Sequence, residues 1–131
     1  MRLEEHVPGS VADWLRYAVS DLEIARIAQS PQILLEGLCF HAQQAAEKAL
    51  KAVLVAHAIP FPRTHNLTTL LDLLPPDLLL PSEVEAATSL TDYAVLTRYP
   101  GNLEPITEEE HREAVHHTEA VVDWAKTLTQ S

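Results

Sequence analysis

This chain of 131 residues is poor in cysteine, glycine and basic side chains, with one, three and nine of them, and each scarcity removes a class of protein. Cys39 alone permits neither a disulfide framework nor a Cys-based zinc site. Gly9, Gly37 and Gly101 lie too far apart for the Gly-rich phosphate loops of dinucleotide-binding and P-loop proteins. Nine Lys and Arg against 19 Asp and Glu leave a net charge of −10 with His neutral. That balance argues against a protein that coats nucleic-acid backbones on its own, which requires clustered cations. No apolar run approaches the ~20 residues of a membrane span. The N-terminus, MRLEEHVPGS, lacks the basic-then-apolar order of a signal peptide. The expectation is a soluble cytoplasmic protein with no membrane partner.

What the chain does have is apolar content, 47% hydrophobic residues, enough to build the core of one domain. Its charge is uneven. Residues 1–65 carry six basic and seven acidic side chains, whereas residues 66–131 carry three and twelve. An anion site therefore belongs on the first half.

Apolar residues recur at helical spacing and strict alternation is nearly absent. Ser10 reads as the N-cap of a first helix reaching about Gln29. Ser30-Pro31 reads as N-cap and N1 of a second helix to about Ala58, stopped by Ile59-Pro60-Phe61-Pro62. A short helix spans about Asn66 to Leu74. Ser82 with Glu85 forms a capping-box pattern for a helix to about Thr97, and Tyr99-Pro100-Gly101-Asn102 reads as a turn. Thr107 with Glu110 forms a second capping box, opening a last helix to about Leu128. The fold expected is all-α, an antiparallel up-and-down bundle of four main helices plus one short helix.

The second helix has an unusually wide apolar face, rich in alanine, which predicts a central position with a closely approaching neighbour. Its remaining face is a row of His41, Gln44, Lys48 and Lys51, flanked by Gln43 and Glu47. Such a row is either a solvated surface or an anion-facing strip, in which Lys48 and Lys51 each meet a phosphate as point charges. Arg63-Thr64-His65-Asn66 closes the following loop, either as a helix cap or as further anion contacts. Arg98, beside Tyr99, is isolated in the acidic half, which points to a specific carboxylate or phosphate partner. His111, His116 and His117 lack the i,i+4 spacing of a helical zinc site, and no metal or cofactor is expected. Cys39 reads as an inert core thiol.

The block Phe40-His41-Ala42-Gln43-Gln44-Ala45-Ala46-Glu47-Lys48-Ala49-Leu50-Lys51-Ala52-Val53-Leu54 closely resembles the signature of HEPN-domain proteins (higher eukaryotes and prokaryotes nucleotide-binding). Trp14-Leu15 with Ala18, Asp21-Leu22 and Ala25 agree with it, as do Thr64-His65-Asn66-Leu67 with Leu70, and Tyr93 with Arg98-Tyr99-Pro100. The resemblance spans about residues 10–127. It implies a helical bundle that commonly forms a homodimer. Small prokaryotic members are often encoded beside a minimal nucleotidyltransferase and complex with it, in pairs interpreted as toxin–antitoxin modules. An ATP-like nucleotide is the implied ligand, with Gln44, Lys48, Lys51, Arg63, His65, Arg98 and Tyr99 as candidate contacts. RNA-cleaving members carry an Arg followed, after four to six residues, by a His. Arg98 has no His in that range. Arg112 and His117 have the spacing, although Glu113 follows the Arg where a small polar residue is usual. Three readings follow: a nucleotide-binding interaction protein, a metal-independent endoribonuclease acting on RNA through Arg112 and His117, or a purely structural bundle.

Overall fold

Residues 9–27, 30–95 and 105–130 are described by the computed structural model, and among them all regular structure is helical. Helix α1 (Val11–Ala25) starts where expected, because the Ser10 side chain accepts the Asp13 amide at 3.1 Å. It ends at Ala25, short of Gln29, with Arg26 as its C-cap.

Helix α2 (Leu35–Ala56) begins later than Ser30-Pro31 suggests. Ser30 is occupied by a local turn: its carbonyl accepts the Ile33 amide at 2.9 Å and its hydroxyl donates to the Gln32 side chain. Leu34 takes the N-cap position without any side-chain bond. At the other end, the Ile59 amide returns to the Leu54 carbonyl and the Ala58 amide to the Val55 carbonyl. These two bonds make a Schellman motif, with Ala58 in the left-handed region at φ 57°.

The short helix α3 (Leu67–Asp72) is capped by the Asn66 side chain on the Thr69 amide. The expected helix from Ser82 is broken into α4 (Ser82–Ala86), a 3₁₀ turn (Ala87–Leu90) and α5 (Thr91–Val95). Its capping box does not form. The Pro81 carbonyl already accepts the Val84 and Glu85 amides, so Ser82 lies inside the helix and cannot cap it. The expected end at Thr97 and the turn at Tyr99-Pro100-Gly101-Asn102 lie outside the described residues. Helix α6 (Glu108–Thr129) opens with the predicted capping box complete, Glu110 amide to Thr107 hydroxyl and Thr107 amide to Glu110 carboxylate.

These elements form an all-α up-and-down bundle in which α4 to α5 acts as one broken column. Trp14, early in α1, sits against Lys51, late in α2, whereas Asp21 meets His41 near the start of α2. The two helices are therefore antiparallel. The end of α1 touches the start of α6, where His111 Nε2 donates to the Ala25 carbonyl at 2.7 Å.

α2 is central. Ala42, Ala45, Ala46, Ala49 and Ala52 are wholly buried, together with Leu50, Val53 and Leu54. Small side chains let the backbones approach, and Thr118 on α6 donates directly to the Ala42 carbonyl at 2.8 Å. Cys39 is fully buried in this core.

Candidate functional site

The polar face of α2 is organised by two carboxylates, and each bridges a histidine on one oxygen and a lysine on the other. Asp21, on α1, binds His41 Nδ1 at 2.9 Å and Lys48 Nζ at 2.7 Å. Glu47, on α2 itself, binds His65 Nδ1 at 2.8 Å and Lys51 Nζ at 2.7 Å. A carboxylate only accepts, so Nδ1 carries the proton on both histidines. In each set the charge of the carboxylate is met at hydrogen-bond distance by an ammonium, the arrangement that makes a poorly solvated ion tolerable.

The Glu47 set is closed around its carboxylate and ammonium, while His65 keeps 60% of its side-chain surface. Gln43, fully buried, donates to Glu47 at 3.3 Å and to the His65 carbonyl at 2.9 Å, pinning the 59–66 loop onto α2. Gln44 donates to the Gln43 oxygen at 2.7 Å. The Lys51 ammonium lies 5.4 Å from the Trp14 ring centre and 5.5 Å from that of Phe61, within cation–π range of both. Those rings meet edge to face and shut the ammonium away from water. The row on α2 is thus not a solvated surface throughout, since Lys51 and Glu47 are buried.

The Asp21 set is open on one side. His41 and Lys48 keep 35% and 22% of their side-chain surface. Beside them, Arg16, Tyr17, Ser20, Asp21 and Lys48 line a groove of about 330 Å³.

Of the residues singled out in the sequence, Gln44, Lys48, Lys51 and His65 lie together along α2 and the loop after it. Arg63 is exposed in that loop. Arg98 and Tyr99 lie outside the described residues. Arg112 is exposed on α6, while His117 is half-buried in a second groove with Leu90, Tyr93, Glu110 and Glu113. At 3.6 residues per turn, Arg112 and His117 point about 140° apart. The Nδ1 atom of His117 is buried with no hydrogen-bond partner among the described residues.

Sequence reasoning missed Asp21 and Glu47 as organisers, and Arg16 and Tyr17 as groove walls. Glu47 had a visible signal, because Lys51 follows it at i+4. Among the described residues no three His, Cys, Asp or Glu side chains gather as a metal ion would need. Arg26 at the end of α1 is held by Glu119 and by Glu23, whose hydrogen bonds raise its pKa above the usual guanidinium value. No described helix is long and apolar enough to cross a membrane.

No curated protein matches the chain, but two solved structures do. TT1696 from Thermus thermophilus is 30% identical with a TM-score of 0.77, over 90% of this chain and 97% of that one. ST0689, an archaeal HEPN homologue, is 29% identical with a TM-score of 0.69, over 90% and 96%. The family model for the HEPN domain matches residues 11–128, which takes in both carboxylate sets and the helices that carry them. This chain belongs to the HEPN domain family.

Proposed function

We propose that this protein is a non-catalytic binding partner: a cytoplasmic HEPN homodimer that pairs with a minimal nucleotidyltransferase in a toxin–antitoxin-like module and binds an ATP-like nucleotide. One observation carries the choice of binding over catalysis. Arg112 is exposed on α6 while His117 turns inward about 140° away, so one chain does not present them together. Glu110 and Glu113 beside His117 would repel a phosphodiester. The nucleotidyltransferase partner is supported by the resemblance to small prokaryotic members so paired. The acidic second half of the chain supplies a surface complementary to a basic protein.

The test begins with the adjacent gene, where a small nucleotidyltransferase is expected. Coexpression of the two should give one complex on size-exclusion chromatography, with this chain as a dimer. Separate elution would overturn the partnership.

The second reading, a metal-independent endoribonuclease, is favoured by the Arg112–His117 spacing and by the place of the His117 ring at the edge of a groove, where it would serve as the base. Arg112 from a second protomer would then stabilise the phosphorane. Under this reading, wild-type protein cleaves RNA and arrests growth while His117→Ala does neither. Equal behaviour of the two removes it.

A further inference from the structure

The groove between α1 and α2 uses its cations differently from the sites of Arg26 and Lys51. Arg26 is bound by two carboxylates and Lys51 is sealed under two rings. Arg16 and Lys48, by contrast, stand on a single exposed aromatic ring. The Arg16 guanidinium carbon is 5.5 Å from the Tyr17 ring centre and the Lys48 ammonium is 5.8 Å from it. Tyr17 keeps 55% of its surface exposed.

Neither cation is used up. The pair of Arg16 with Asp13 measures 3.6 Å, beyond hydrogen-bond range, so the guanidinium fork keeps its donors. Lys48 gives one bond to Asp21, which fixes the ammonium in place and leaves its other protons for a ligand. Asp21 is itself compensated by His41 on its other oxygen, which reduces the repulsion an incoming anion would meet. Ser20 adds a hydroxyl at the groove wall.

An exposed ring with two cations held over it suits a ligand that is flat and aromatic at one end and anionic at the other, because the anionic end draws the cations off the ring as the flat end stacks on it. A base stacks on an exposed ring whatever its identity, and phosphate oxygens take a bidentate Arg and a point-charge Lys. A groove of about 330 Å³ is at the small end of ligand sites, the size for one nucleotide and not for a polymer.

We propose that a nucleoside phosphate binds here, its base on Tyr17 and its phosphates between Arg16 and Lys48, with Asp21 as the residue that positions Lys48. This rests on the nucleotide part of the proposed function and moves its centre from the closed Glu47 set to the α1 side of α2.

Calorimetric titration of the full chain with ATP and with inorganic tripolyphosphate tests it, because only ATP carries a base. Tyr17→Ala is expected to weaken ATP about tenfold, within the range for a lost stacking partner, and to leave tripolyphosphate unchanged. Arg16→Ala is expected to weaken both. Both side chains are exposed, and unchanged circular dichroism and melting of the variants will show that folding is intact. If ATP binds the wild type and both variants equally but is lost in Arg63→Ala, the site lies in the 59–66 loop. That outcome overturns this groove and leaves the nucleotide reading standing. If the wild type binds no ATP at millimolar concentration, both fall, whatever the nucleotidyltransferase experiment gives.

Discussion

The Asp21 and Glu47 sets hold the same three chemical groups, a carboxylate, an imidazole and an ammonium, at nearly the same distances. They differ in what surrounds them. Glu47 and Lys51 keep 4% and 10% of their side-chain surface, under Trp14 and Phe61, with Gln43 filling the remaining bonds. Asp21 and Lys48 keep 11% and 22% and border an open groove. Enclosure, not residue type, decides which set is architecture and which is available to a ligand. In the closed set the carboxylate and the ammonium are covered and the loop is locked to α2, while the His65 ring keeps its outer edge in water. In the open set one ammonium is anchored but not exhausted.

Substitutions should pull the two apart. The largest effect is expected for Glu47→Ala, which strands the buried Lys51 ammonium without a counter-charge and should cost about 3–5 kcal/mol in urea unfolding. A loss below about 1 kcal/mol would mean that water reaches Lys51 and that the set is not closed. Asp21→Ala removes the equivalent carboxylate where solvent can compensate Lys48, and about 1–2 kcal/mol is expected. Thr118→Val, which deletes only the cross-helix bond to the Ala42 carbonyl, should cost about 1 kcal/mol and leave ATP binding unchanged. Salt sharpens the contrast. Raising NaCl from about 0.1 to 1 M, which shortens the Debye length from about 10 to about 3 Å, should shrink the Asp21→Ala penalty and barely alter that of Glu47→Ala. Arg16→Ala is the smallest, within about 0.5 kcal/mol in stability, so that its effect on ATP binding stands apart from any effect on folding.

Most of the architecture could be read from periodicity and caps. Ser10 and Thr107 cap helices as expected, and of Thr64 and Asn66 it is Asn66 that caps the short helix, because the signals are local: a short polar side chain, a nearby free amide and, for Thr107, a reciprocal Glu110. Ser30 and Ser82 carry the same residue type and fail, Ser30 because a local turn engages it and Ser82 because the Pro81 carbonyl claims the amides first.

The site was legible as a row and not as a network. Helical phase places His41, Gln44, Lys48 and Lys51 on one strip of α2 but says nothing of what lies across from it. Asp21 is 20 residues before His41, and the loop that lays His65 against Glu47 and Phe61 over Lys51 is set by tertiary packing. Burial of Lys51 could not be inferred from a row that looked polar, because the side chains that cover it come from α1 and from the loop.

The alanine at the end of α2 has a consequence for how much change the chain tolerates. Ala58 occupies a left-handed position that glycine fills without steric cost. Ala58→Gly therefore relieves about 1–2 kcal/mol of backbone strain, offset in part by about 0.4–1 kcal/mol of added freedom in the unfolded chain. Ala58 is not among the residues that line the groove, so this gain comes without altering Arg16, Tyr17 or Lys48. A background carrying that one change would keep weakened variants of either carboxylate set folded long enough to assay. The same margin is what evolution would draw on to remodel the groove.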